Sequence, residues 1–166
     1  MKKFILSGIV GFVSLFSCQE AQIGTENASE LNSRFAEFEN MFRPGLGSFM
    51  NQIQVYHVKL SLAVSENNNE LVSYLIHELE EQFEKVVIVH KTHDGIALNE
   101  IADQTIFPAL HDLEQANERK DSLSLVQSFE SLTVSCNKCH VSTGHSFIRI
   151  KRPEANPFLN QDFTVQ

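Results

Sequence analysis

Cys136, Cys139 and His140 stand in the stretch "VSCNKCHVSTGH" at 134–145, two thiols three residues apart with an imidazole directly after the second. Three chemistries use such a set. A thiol pair can cycle between dithiol and disulfide, but redox pairs of that kind open a helix in a βαβ context, and the pattern around this one is helical. A structural zinc site wants a second ligand pair at close spacing, and His145 could supply a fourth ligand only by crowding the set onto one turn. Covalent attachment of a c-type haem needs two thiols to add across two vinyl groups and an imidazole to bind the iron from the same side. On a helix Cys136 and Cys139 share a face, one turn apart, with His140 adjoining them, so this order of residues meets that need. The reading is one covalent haem c, attached through Cys136 and Cys139, with His140 as the proximal iron ligand.

The elements that would position these residues are helices; no sustained alternation of strand type is found. Leu31, Phe35, Phe38 and Phe42 follow one helix face until "RPG" at 43–45. A second helix, starting near Ser48, carries Met50, Ile53, His57, Leu60 and Val64 on one stripe, and "SENNNE" at 65–70 breaks it. A third, from about 69 to 90, turns Leu71, Leu75, Leu79, Phe83 and Val86 inward. "HKTHDG" at 90–95 reads as a loop. A fourth helix over roughly 98–118 points Ile106, Leu110 and Leu113 inward, with Pro108 expected to kink it or mark its start. Asp121 or Ser122 caps the last helix, where Leu125, Phe129, Leu132, Cys136 and Cys139 line one face and Gly144 is a natural stop. The fold class expected is all-α: an antiparallel four-helix bundle, with 31–42 as an extra N-terminal helix laid across it and an extended C-terminal tail packed onto the helices.

Ahead of that domain, assigned to 31–166, Lys2 and Lys3 precede an apolar run from Phe4 to Phe16, then Ser17 and Cys18. A basic start, an apolar stretch too short to cross a bilayer and a small residue before the break read as a secretory signal peptide over 1–17. "LFSC" is similar to a bacterial lipoprotein cleavage box, which would make Cys18 the lipidated first residue of the mature chain. The alternative is cleavage a few residues later, with Cys18 lost. Residues 18–30 are polar and aperiodic and read as a flexible tether. The expected location is therefore exported, on the periplasmic or cell-envelope side, lipid-anchored to a bacterial membrane. Export is also what covalent haem attachment requires. Removal of Lys2 and Lys3 with the leader takes the formal net charge from −8 to −10. So acidic a surface repels nucleic acid and anionic lipid head groups, and favours basic docking partners.

The motif's place on the last of several long helices resembles the cytochrome c-prime-type four-helix bundles, and not the small cytochromes whose motif comes near the N-terminus. "GLGSFMNQIQVYHVKLSLA" at 45–63, "NNELVSYLIHELEEQFE" at 68–84 and "LTVSCNKCHVSTGHSFIRIKRP" at 132–153 are similar to a family of bacterial exported mono-haem cytochrome c-like proteins. The resemblance covers nearly all of 45–163 and departs at "KLSLA", where an aromatic near Ser61 or Leu62 is expected. It implies a haem hung from the final helix inside the bundle. It also implies a sixth iron ligand near the start of the first bundle helix, where Met50 stands. Met50 and His57 share a stripe about 10 Å apart along the axis, so only one of them can face the iron. Met50 is the first candidate, its soft thioether suiting a raised potential, and His57 is the second. An open sixth position is the third possibility.

Of the other histidines, His90 and His93 read as solvated loop residues and His77 and His111 as surface residues. His145 could cap the helix end or bond a haem propionate. In the cluster "RIKR" at 149–152, Arg149 or Lys151 is the candidate partner of a propionate. No nucleophile–base constellation and no Gly-rich phosphate loop is seen, so no enzymatic activity is expected. The functional expectation is an electron carrier that meets redox protein partners and could pair with itself. A gas-binding or sensing haem protein with an open iron position is one alternative. A non-haem helical lipoprotein using its C-x-x-C-H for zinc or as a redox switch is another.

Overall fold

The computed structural model describes residues 25–165. The leader, Cys18 and the first part of the tether lie outside the described residues. The chain divides into two units, Met1–Phe42 and Arg43–Gln166.

In the first unit, α1 spans Thr25–Phe42. It begins inside the segment expected to be a tether, because no glycine or proline interrupts the chain between Thr25 and Phe42. Its Leu31, Phe35, Phe38, Met41 and Phe42 are exposed, at 53 to 71 %. The division falls after Phe42, within the stretch 31–166 that the sequence reads as one domain. Pro44, which lacks an N–H, and the extended Gly45 (φ −65°, ψ 154°) stop the helix there.

The second unit is mostly helical. It runs through α2 (Leu46–Ser65), α3 (Asn69–Val89), a two-residue hairpin of β1 (Thr92–His93) and β2 (Ile96–Ala97), α4 (Leu98–Ile101), a π-helical turn (Ala102–Ile106), α5 (Phe107–Glu118) and α6 (Ser122–Ser142). Extended chain comes after α6. The hairpin corrects the loop expected at 90–95. Asp94 (φ 50°) and Gly95 (φ 80°) form the two left-handed positions of a tight turn that pairs His93 with Ile96. Pro108 stands in the first turn of α5, the start that is one of the two expectations for it, where its missing N–H costs no bond within α5. The turn before it is widened, Phe107 N–H bonding Ala102 O.

The stops between helices are short and specific. After α2, Asn67 takes φ 53° and the N–H of Asn68 reaches back to Ala63 O, a Schellman closure. Asn68 then accepts from Leu71 N to cap α3. Asp121 does the same for α6, accepting from Leu123 and Ser124 N.

α2 packs on α3, α3 on α5, α5 on α6 and α6 on α2. The His90 ring donates to Pro44 O at 2.8 Å, which sets the end of α3 beside the start of α2. Asn69 donates to Asn117 Oδ1 at 2.8 Å, which sets the start of α3 beside the end of α5. The chain reverses again at Lys120 and Asp121, so α6 runs opposite to α2. Between them lie Leu60, Val64, Leu75, Leu79, Ile106, Leu110, Leu113, Leu125, Phe129 and Leu132, all essentially inaccessible. Each large side chain so buried contributes about 1.5–3 kcal/mol. The tail is tied down by Phe163, which is buried, and by Asn68 Nδ2 donating to Phe163 O and Thr164 O.

Candidate functional site

One end of the α2–α6 pair opens into a cavity of about 470 Å³, a size typical of cofactor and ligand pockets, roughly 300–1,000 Å³. Met50 and His57 of α2 and Cys136, Cys139 and His140 of α6 all line it. Phe83, Val86, Leu98 and Ile106 supply apolar wall, Leu98 from α4 and Ile106 from the end of the π-helical turn.

Both cysteines are free thiols. Burial, with the neighbouring Cys139 adding to it, pushes the Cys136 thiol up to about 12, and burial raises Cys139 as well. Among the described residues no three His, Cys, Asp or Glu side chains converge as a metal-holding group. A haem asks less of the chain, because the porphyrin supplies four of the iron's ligands itself.

The chain beyond His140 orients its ring. Gly144 (φ 76°) ends α6 in a Schellman motif, with His145 N–H bonding His140 O at 2.7 Å and Gly144 N–H bonding Val141 O at 3.2 Å. The chain then folds back along α6, and Asn137 grips Ile150 from both sides, accepting from its N–H at 2.7 Å and donating to its carbonyl at 2.9 Å. That return brings Ile148 O within 3.1 Å of His140 Nδ1. A carbonyl can only accept, so Nδ1 carries the proton and Nε2 keeps its lone pair for a metal.

His57 is arranged in the opposite sense. Its Nε2 is 2.8 Å from Thr133 Oγ1, whose own proton goes to Phe129 O at 3.1 Å. Nε2 is therefore the donor, and Nδ1, buried in a residue only 2 % exposed, has no protein partner. The ring lies against Phe129 at 4.8 Å between centroids. Burial drives its basicity down from 6.5 to about 4, so it is neutral.

The His57–Thr133 contact also fixes the level of one helix against the other. Because α2 and α6 run oppositely, seven residues back along α2 from His57 and seven forward along α6 from Thr133 reach the same height, about 10 Å away. Those residues are Met50 and His140. Half-buried Met50 thus lies level with His140, and His57 lies two turns deeper.

Arg149 and Lys151 do not line the pocket. In the extended segment Ile148 and Ile150 turn to the cavity, so their alternate neighbours turn away. Arg149 is exposed, and Lys151 pairs with Glu154 at 2.7 Å. His93, expected in a solvated loop, does line the cavity, as does His145. The signal for His93 was present as Asp94-Gly95, the commonest two-residue hairpin turn. His77 and His111 are exposed beside Glu81 and Glu114. Comparison of the chain with protein-family models, with curated proteins and with solved structures finds no match.

Proposed function

We propose that this protein is an exported, lipid-anchored mono-haem c-type cytochrome that carries electrons, built as an antiparallel four-helix bundle of α2, α3, α4–α5 and α6. The observation that carries the reading is the convergence of two thiols and one oriented imidazole on a single apolar cavity. Cys136 and Cys139, one helical turn apart on α6 and both lining the cavity, would hold the cofactor by thioether bonds. His140 would bind the iron through Nε2, its ring fixed by Ile148 O. Bound there, a haem would supply one-electron chemistry between ferric and ferrous iron. The chain's part is to exclude water and to present the ligands.

Met50 is the proposed sixth ligand. Its support is the level it shares with His140 across the cavity, while His57 has its Nε2 committed to Thr133. A thioether opposite an imidazole raises the potential. Ferric protein with this ligation shows a sulfur-to-iron charge-transfer band in the far red, and Met50→Ala should remove the band and let carbon monoxide bind the ferrous form. A high-spin wild type that already binds carbon monoxide would favour the second reading, a gas-binding haem protein. The observation behind that reading is His57, a buried neutral imidazole among the residues that line the cavity, whose Nδ1 has no protein partner.

The acidic surface, with a net charge of −8 before any processing, suits basic redox partners. The anchor is proposed on Cys18. Among the described residues no helix is long and apolar enough to cross a membrane. Cys18→Ala should release the protein into the soluble exported fraction with its haem in place; loss of haem loading would contradict the separation of anchor and pocket.

A further inference from the structure

A haem brings two carboxylates as well as an iron, and a carboxylate left unpaired against protein is costly. Among the described residues no lysine or arginine lines the pocket. Lys151 is held by Glu154, and Arg152 by Ser65 and Glu130. The rim carries a pair of imidazoles instead, delivered by two separate elements. His93 comes from β1 and His145 from the turn that ends α6; both are half-buried and both line the cavity. Their ring centroids are 6.3 Å apart with an angle of 32° between planes. One carboxylate could reach both rings through hydrogen bonds of about 2.8 Å each. His90 stands beyond His93 at 6.5 Å and Phe147 beyond His145 at 5.8 Å, so the pair is flanked by rings on either side.

The nitrogens are arranged to serve. His93 Nε2 stands 3.7 Å from Asp94, beyond hydrogen-bond range, so the ring proton is free to sit on Nδ1 for a ligand. His145 meets Thr143 Oγ1 through Nδ1 at 3.2 Å, which leaves Nε2. Thr143 lies in the turn that ends α6, and with its hydroxyl donating to His145 Nδ1 the Nε2 of that ring carries the N–H, so the ring is tied to the helix that carries the thiols.

We propose that His93 and His145 form a carboxylate clamp at the rim of the pocket and, resting on the haem reading above, that this clamp takes the haem propionates in place of Arg149 and Lys151. Each ring donates one N–H to a carboxylate oxygen. The Asp-Gly turn at 94–95 and the Schellman turn at 143–145 are then cofactor-positioning devices, since each aims one ring.

The test uses the full chain carrying Cys136→Ala and Cys139→Ala, so that haem binds reversibly. It is titrated with haem and with haem dimethyl ester, whose carboxylates are capped, and affinity is read from the absorption change. His93→Leu and His145→Leu are each expected to weaken haem roughly tenfold, the scale of one hydrogen bond to a charged group. Neither should alter the affinity for the ester, and His145→Lys should recover most of the loss for haem. If His93→Leu fails to fold by circular dichroism, His93→Phe keeps the ring shape without its donors. Equal losses for haem and ester would mean that the rings only shape the pocket, and would overturn the clamp. Unchanged affinity for haem would overturn it too, with the haem reading left standing. A parent chain that binds neither form, and gains no haem mass when its thiols are intact, fails the haem reading itself and takes the clamp with it.

Discussion

His140 and His57 reach the same cavity from facing helices, and each has one ring nitrogen tied and one free. His140 sits in the last turn of α6, half-buried, its Nδ1–H held by a carbonyl that arrives only because Gly144 turns the chain back. His57 sits in the middle of α2, 2 % exposed, its Nε2–H held by a threonine that is itself held by Phe129 O. The free nitrogen is Nε2 in the first and Nδ1 in the second. Residue type alone therefore assigns neither to a metal. Height along the helix pair distinguishes them, and under the haem reading proposed above it puts His140, level with Met50, ahead of His57.

The largest consequence of the difference is in acid. The unfolded chain protonates His57 near 6.5, whereas the folded chain resists until about 4. A base whose folded value is depressed binds fewer protons folded than unfolded, so stability is full above about pH 6.5 and falls as pH drops toward 4, by up to about 3 kcal/mol. Urea midpoints against pH should show this loss for the wild type and a shallower one for His57→Leu. Parallel curves would mean that His57 is not the buried neutral base described. Next comes the tie itself. Thr133→Val leaves the His57 Nε2–H buried without an acceptor and should cost about 2 kcal/mol, with Thr133→Ser recovering most of it. Equal thermal midpoints for Val and Ser would remove the hydrogen bond from the account. The smallest effect belongs to the His140 side. Gly144→Ala meets nothing within 4 Å, so its cost is conformational, from φ 76°, and should be about 1 kcal/mol. A loss several times larger would mean that the return segment does more than close the helix.

Much of the helical core was legible in the sequence. Ile53, Leu60, Val64, Leu75, Leu79, Leu110, Leu113, Leu125 and Leu132 fall on single stripes because a helix repeats every 3.6 residues. The thiol–thiol–imidazole set was legible for the same reason, being contained in one helical turn. What was hidden depends on chain far away. Thr133 gave no sign of a role, because its partner lies 76 residues earlier. Arg149 and Lys151 drew the eye by charge, but the parity of an extended segment gives the cavity Ile148 and Ile150. His93 looked solvated until the Asp94-Gly95 turn folded β1 onto β2. Pro108 suggested a kink or a start and does stand in the first turn of α5, but nothing in the sequence announced the widened turn at 102–106 before it. The same helical period marked 31–42 as a helix, and α1 is helical there.

The account stands or falls on whether Cys136 and Cys139 carry a haem. Intact mass of the mature protein, made in cells with c-type maturation, measures this directly. One haem added per chain, and none after Cys136→Ala with Cys139→Ala, is the predicted result. A wild-type chain at its bare polypeptide mass would contradict it.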